Sequence, residues 1–274
     1  MKRMLRGVPT MDIHGLHNYT VAILKEAGER IRRSFHEVMQ IETKSDANDL
    51  VTNIDKETEQ FIINKIRAYD DTYRVFGEEG MAGAPVTSLE GVVWIVDPID
   101  GTMNFVRQHR NFAISIGIYE DGVGQAGYIY DVVADELYYA IAGEGAYVNE
   151  HRLARLETLP LNESIVGINA VWGTPNKKIE HEGVIRLIRQ LRGTRSLGAA
   201  TLEMMAVATG RMDAYISLRL SPWDIAAGVI IANEVGAIAS TLGDKKINLL
   251  EQDTFIVSNP SIHSEIINDY ITLK

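Results

Sequence analysis

The stretch "WIVDPIDGTMNF", Trp94 to Phe105, sets Asp97 and Asp100 three residues apart beyond an apolar run and follows them with a Gly-Thr step. Val92 to Val96 predict a buried strand with Asp97 emerging at its end; Pro98 cannot extend a ladder, so the chain must change direction there. More acids stand in three other segments: Glu78 and Glu79 in "VFGEEG", Asp55 where "DLVTNID" opens a helix, and Asp224 where "SPWDIAAG" opens another. If these segments converged, carboxylates a few ångströms apart would repel by ~1 kcal/mol per pair in water and ~4 kcal/mol at a protein-like dielectric. Protonation or cations must then relieve them, and oxygen ligands without histidine or cysteine suit Mg²⁺. Each acid also has an ordinary structural use. Asp-Gly is common in bends, and an aspartate at a helix start caps the first turn and complements its dipole. Spacing alone leaves convergence open.

The remaining motifs carry less. "GVGQAG", Gly122 to Gly127, satisfies the dinucleotide pattern G-x-G-x-x-G, but strand-like "YIYDVV" follows where a helix N-terminus would have to take the pyrophosphate. It reads as a glycine-rich hairpin turn. His14 and His17 lie at a ragged start with no carboxylate partners in sequence, and no Walker A loop, zinc-helix motif or nucleophile elbow occurs.

The elements that must position the acids follow from periodicity. Val21, Leu24, Ala27, Ile31, Phe35 and Val38 recur at three or four and predict a helix from Asn18 to about Met39; Ile54, Thr58, Phe61, Ile62, Ile66 and Tyr69 predict a second. Between them "ETKSDANDLVTN" is polar and breaker-rich, an exposed connection. "RVFGEEG" is short and β-like, "GVVWIVD" reads as a strand at a buried sheet centre, and "FAISIGIY", "GYIYDVV", "ELYYAIAG" and "GAYVN" read as strands that make the middle of the chain largely antiparallel sheet. The last third alternates: strand "SIVGIN", helices "EGVIRLIRQL" and "AATLEMMAVATG", strand "MDAYIS", helix "WDIAAGVIIANEVG", strand "TFIVSN", and a closing helix with Ser261 as N-cap. Helices before, between and after sheet segments predict an α+β layered sandwich rather than a βαβ repeat. With no low-complexity linker and no internal repeat, the expectation is one domain over 1–274, with a loose extension over about 1–15 and two sub-halves meeting near 150–165.

Composition sets the outer limits. The 274 residues include 46% hydrophobic ones, enough for a full core, and 27 lysines and arginines against 37 aspartates and glutamates give a net charge of −10. That balance argues against a protein built to hold nucleic acid through its phosphates. Zero cysteines exclude disulfides, thiolate metal sites and a cysteine nucleophile. No uninterrupted apolar run could span a bilayer, and "MKRMLRGVP" leads into no signal-peptide core. A cytoplasmic protein without a membrane partner is expected.

Taken together, "GEE", "WIVDPIDGTMNF" and "SPWDIAAGVIIANEVGA" resemble the three signature blocks of the inositol monophosphatase family, within the larger group of lithium-sensitive, metal-dependent phosphatases. "KSDANDLVTNID" is similar to the preceding loop and helix start, and "RSLGAATLEMMAVATGRMDAY" to a later segment, so the likeness runs from about Asn18 onward. The resemblance implies a layered α/β/α/β/α sandwich, a homodimer, and Mg²⁺-dependent hydrolysis of a small phosphomonoester with two to three ions per site. Glu78, Asp97 and the Ile99 carbonyl would hold the first metal; Asp97, Asp100 and Asp224 the second. Asp55 would join a weaker third site, and Glu79 is carried as a further metal candidate. Thr102 with Asp55 would polarise the attacking water, assisted by Glu78, and Lys44 matches the family's loop lysine near the phosphate. Asp100, Gly101, Thr102, Ala200, Ser217, Arg219 and Asp224 would face the substrate, with the Gly101 and Thr102 amides on its phosphate.

One position departs from the family pattern. Inositol-selective members usually carry a glutamate seven residues before the aspartate of the "WD" block, against a substrate hydroxyl; Ser217 stands there. Serine offers no charge-assisted acceptor. With Arg219 two residues on, a larger or more anionic substrate comes into view: fructose 1,6-bisphosphate or the 2′-phosphate of NADP. Arg219 is equally compatible with an ordinary surface position. Because some members act in transcription complexes, a regulatory binding protein on the same fold is the reading from another class.

Overall fold

Helical periodicity near the start gives α1 (Ile13–Ser34), one turn longer at its beginning than the apolar stripe indicates. Asp12 accepts the Gly15 amide at 3.1 Å and caps the helix, so residues 13–15 are ordered helix. His14 and His17 are also partnered, through Glu144 (3.4 Å) and the Tyr128 hydroxyl (3.2 Å). The helix ends at Ser34, short of the predicted Met39. The computed structural model describes residues 11–36, 40–43, 50–83 and 85–274. Lys44 lies outside them.

The polar connection carries two short strands, β1 (Ile41–Thr43) and β2 (Leu50–Thr52), paired antiparallel. α2 (Asn53–Tyr69) follows, opened by a capping box in which Asp55 accepts the Thr52 amide at 2.9 Å.

Seven strands then form one sheet in chain order: β3 (Arg74–Gly77), β4 (Val92–Asp100), β5 (Ala113–Glu120), β6 (Val123–Asp131), β7 (Glu136–Ile141), β8 (Gly145–Val148) and β9 (His151–Arg152). All neighbours are antiparallel except β3 and β4. The hairpin turn before β6 is only Asp121 and Gly122, both at positive φ. Gly124 and Gly127 of the "GVGQAG" pattern therefore sit inside the strand, not in a turn. They have a packing use: a Cβ on Gly127 would run into the Ala227 carbonyl, and one on Gly117 of β5 would stand 2.9 Å from the Ala226 Cβ.

A second sheet takes the order β11-β10-β12-β14-β13, from β10 (Ile165–Ile168), β11 (Gly193–Arg195), β12 (Ala214–Leu220), β13 (Ile238–Ser240) and β14 (Asp253–Ser258). Its parallel and antiparallel pairs are mixed. β11 and β13, three residues each, were too short to show a period of two.

Three helical layers separate and cover the sheets. α1 and α2 share a core with the outer face of the first sheet, where Leu24, Ile62, Trp94 and Tyr128 meet. α5 (Ala200–Ala208) and α6 (Pro222–Glu234) fill the space between the sheets with Met204, Ala226 and Ile231 against Val93, Ile95, Phe255 and Val257. Burial from both sides explains why these two helices are apolar nearly all round. α4 (His181–Gln190) and α7 (Pro260–Glu265) cover the far face through Val184 and Ile262. The result is the layered α/β/α/β/α sandwich. Asn259, not Ser261, caps α7: its side chain accepts the Ser261 amide at 3.1 Å, and Pro260 supplies the first helical residue.

Candidate active site

Strand β4 does not stop at Asp97. It continues to Asp100 through a bulge, because Asp97 opposes Ser115 while Asp100 opposes Ala113, three steps against two. In a regular strand, residues three apart point to opposite faces; one extra residue restores them to the same side. Pro98, which donates nothing to the ladder, occupies the irregular segment. Thus the predicted change of direction is a kink within a strand, and its consequence is to aim two aspartates together.

Gly101 then takes φ +90° and opens α3 (Thr102–Gln108). A side chain there would also collide, since a Cβ would stand 2.9 Å from that of Ala199. Asp224 is the third residue of α6, where it accepts the Ser221 amide at 2.7 Å. Its capping use is real and does not exclude another. One oxygen each of Asp97, Asp100 and Asp224 lies within 4.8 Å of the others.

Glu78 joins them from the end of β3. Its amide extends the β3–β4 pairing to the Val96 carbonyl at 3.2 Å, which sets it beside Asp97. Burial, then the charges of Glu78, Asp100 and Asp224, hold the Asp97 carboxyl well above the usual carboxylate range. Burial likewise raises Asp100, to about 6, although the Thr201 hydroxyl and the amides of Thr201 (2.7 Å) and Ala200 (3.2 Å) favour its ionised form. Asp55 is raised chiefly by burial as well, with Thr52 and Thr102 opposing. The Thr102 hydroxyl stands 3.0 Å from Asp55 Oδ1 and 3.1 Å from the Ile99 carbonyl. Glu79 shares the turn with Glu78 and donates its amide to Glu59.

Glu78, Asp100, Gly101, Thr102 and Asp224 line a cavity of about 810 Å³. Ala200, Ser217, Arg219, Val171 and Trp172 line it too. Ser217 is buried, exchanging weak contacts of 3.3 and 3.4 Å with the Arg219 backbone. So, of the described residues expected at the site, Asp97, Asp100 and Asp224 gather with Glu78, while Gly101, Thr102, Ala200, Ser217 and Arg219 border the cavity; Asp55 and the Ile99 carbonyl connect to it through the Thr102 hydroxyl, and Glu79 makes its backbone contact to Glu59. The sequence reading passed over Glu59, Asn104, Thr201 and Glu203. A signal existed for two of them: Glu59 falls on the apolar stripe of α2, and Glu203 is the one charge in "AATLEMMAVA".

The family model for the inositol monophosphatase family matches residues 13–272. The chain belongs to the inositol monophosphatase family. It is 54% identical to the inositol-1-monophosphatase of Bacillus subtilis (strain 168), over 90% of this chain and 93% of that protein. The fructose-1,6-bisphosphatase/inositol-1-monophosphatase of Thermotoga maritima is 32% identical, with 91% and 93% covered. Nus factor SuhB of Vibrio cholerae serotype O1 is also 32% identical, with 90% and 92% covered. Among solved structures, 2′-AMP-bound SaIMPase-II superposes with a TM-score of 0.86 at 43% identity, covering 94% of each chain. An IMPase/NADP phosphatase complexed with Mg²⁺ and phosphate gives 0.86 at 31% identity, with 94% and 95% covered. As a family member the chain is a phosphatase, a phosphoric monoester hydrolase. Among the described residues, no helix is long and apolar enough to cross a membrane.

Proposed function

We propose that this phosphatase is Mg²⁺-dependent and hydrolyses a small phosphate ester, inositol monophosphate first, by direct attack of water. One observation carries the reading: acids from β4 and α6, more than a hundred residues apart in sequence, bring three carboxylate oxygens within 4.8 Å of one another, and two of them, Asp100 and Asp224, line a cavity. The donor set fits the ion. All its atoms are hard oxygens, and a carboxyl pushed up by burial and by neighbouring carboxylates, as Asp97 is, is what a divalent cation relieves. Asp97, Asp100 and Asp224 would hold Mg²⁺ together with Glu78 and the Ile99 carbonyl, with Asp55 at a weaker third position. Bound there, Mg²⁺ supplies Lewis acidity toward the phosphoryl group and makes water nucleophilic at neutral pH.

The chain's own groups do the rest. Thr102 Oγ, turned by Asp55 and the Ile99 carbonyl, orients the water, and Asp55 and Glu78 stand ready to take its proton. Amides of Gly101 and Thr102 face the phosphate at the start of α3. Lys44 is kept as the loop cation toward that phosphate on resemblance alone. No phosphoenzyme is expected, because the motif assigns the attack to water and Thr102 and Asp55 to its orientation.

Ser217 and Arg219, with a cavity that exceeds an inositol ring, support sugar bisphosphates or the 2′-phosphate of NADP as further substrates. The T. maritima relative and the NADP phosphatase, named for such activities, favour the same extension. A homodimer, lithium sensitivity and a cytoplasmic setting complete the proposal. Phosphate release from inositol 1-phosphate, fructose 1,6-bisphosphate and NADP⁺ in the presence of Mg²⁺ is the test. Release from inositol 1-phosphate is expected; silence from all three would remove the proposal and leave the regulatory reading, to which the Nus-factor relative is the pointer.

A further inference from the structure

Two buried glutamates accept amides from turns next to the acids, one at the Glu78–Met81 turn and one at the turn that leads into α5. Glu59 of α2 is 0% exposed and accepts two backbone amides, one on each oxygen: Glu79 at 2.7 Å and Met81 at 2.8 Å. Glu203 of α5 is 3% exposed and accepts the Leu197 amide on Oε1, while Oε2 has no hydrogen-bond partner among the described residues. Each sits in space left open by a strand glycine. A Cβ on Gly77 would stand 2.6 Å from both Glu59 oxygens, and one on Gly167 2.6 Å from Glu203 Oε2.

Burying a carboxylate is costly, and an apolar side chain would fill either space without that cost. What an apolar side chain could not do is hold an amide in place. The Glu79 amide belongs to the peptide that leaves Glu78, so fixing it fixes the direction of Glu78. The Leu197 peptide is gripped at both ends, its amide by Glu203 and its carbonyl by Asn104 Nδ2 at 2.8 Å. It begins the turn into α5, whose first amides hold Asp100.

We infer that Glu59 and Glu203 are positioning residues, each gripping a loop amide from below and thereby setting Glu78 and Asp100 for the cation. The inference rests on the proposed Mg²⁺ site, but it concerns groups outside the ligand set. The two grips differ in a way that can be tested. Glutamine has a single acceptor oxygen, so Glu59→Gln turns an N–H donor toward one of its two amides, whereas Glu203→Gln still serves Leu197.

The experiment titrates metal-stripped full-length protein with Mn²⁺, following the free-ion signal by electron paramagnetic resonance. Hydrogen exchange of peptides covering 78–83 and 196–201 is measured in parallel without metal. Glu59→Gln and Glu203→Ala are expected to weaken Mn²⁺ binding by about tenfold or more, and Glu203→Gln by less than about twofold. Exchange should quicken only in 78–83 for the first and only in 196–201 for the second. Should either damaging variant fail to fold, Glu59→Asp and Gly167→Ala disturb the same grips and carry the same expectation. Wild-type affinity in the damaging variants, or equal loss in Glu203→Gln and Glu203→Ala, overturns the inference. Absence of Mn²⁺ binding by the wild type would instead strike the Mg²⁺ proposal itself.

Discussion

Around the end of β4 and the start of α6 stand the acids, Asp97 and Asp100 buried and Asp224 half-buried, each accepting backbone amides: Asp97 from Ile99, Asp100 from Ala200 and Thr201 of α5, and Asp224 from Ser221. Elsewhere along the same cavity, β12 and the 170–173 turn present Ser217, Arg219, Val171 and Trp172; Arg219 is exposed, and Val171 is 49% exposed. The first side is over-determined: a bulge, two helix starts and a left-handed glycine all serve to bring carboxylates together against their own repulsion. The second carries no comparable constraint. Under the proposed function the reaction belongs to the first and the choice of substrate to the second, and each can be broken separately.

Breaking the acid side should have the largest effect. Asp97→Asn is expected to lower kcat by at least about 10³-fold, since several kcal/mol of transition-state stabilisation pass through a shared ligand. Steady-state phosphate release at saturating Mg²⁺ measures it, and a loss below tenfold would end the claim that Asp97 is shared. In metal-stripped protein the same variant should melt at a higher temperature than wild type, because it removes a buried charge from a repelling group.

The next effect is a pH dependence of the metal-stripped protein. Asp100 has a folded pKa raised to about 6 from an ordinary value near ~4, so the folded state binds its proton more tightly than the unfolded state. Its contribution is therefore fully present below about pH 4 and is lost as pH rises through about 6. Mg²⁺, which favours the ionised form, should stabilise the protein progressively more across that window. Melting temperatures with and without Mg²⁺ from pH 4 to 7 check this; a constant difference would contradict it.

On the substrate side the effects should be smaller and selective. Ser217→Glu should raise the preference for inositol 1-phosphate over fructose 1,6-bisphosphate by about tenfold in kcat/KM, the worth of one charge-assisted hydrogen bond. An unchanged ranking would detach Ser217 from the substrate. Arg219→Ala should change KM for the bisphosphate by no more than about fivefold, as befits an exposed cation, and leave kcat alone.

Legibility in the sequence divides along the same line. Long apolar periods announced α2, α6 and β4, and the acids stood out because their types and local context suited a hard cation. The bulge was not legible, since a proline after a strand predicts a stop as readily as a kink, and only pairing with β5 distinguishes the two. Three-residue strands such as β11 and β13 exist because neighbours supply their hydrogen bonds, a tertiary cause. Asp12 was passed over as a cap because the apolar stripe begins later. Convergence of Asp97 with Asp224 needed the two sheets packed through α5 and α6; before that, family likeness rather than spacing joined them. Glu59 and Glu203 were visible only as charges out of place on apolar faces.

The central claim is that the acid group works through a bound divalent cation. Its most direct test is phosphate release from inositol 1-phosphate by chelator-treated protein, before and after Mg²⁺ is restored. Loss of turnover on chelation and full recovery with Mg²⁺ are expected in the wild type, with no recovery in Asp97→Asn. Undiminished turnover after exhaustive removal of divalent ions would contradict it.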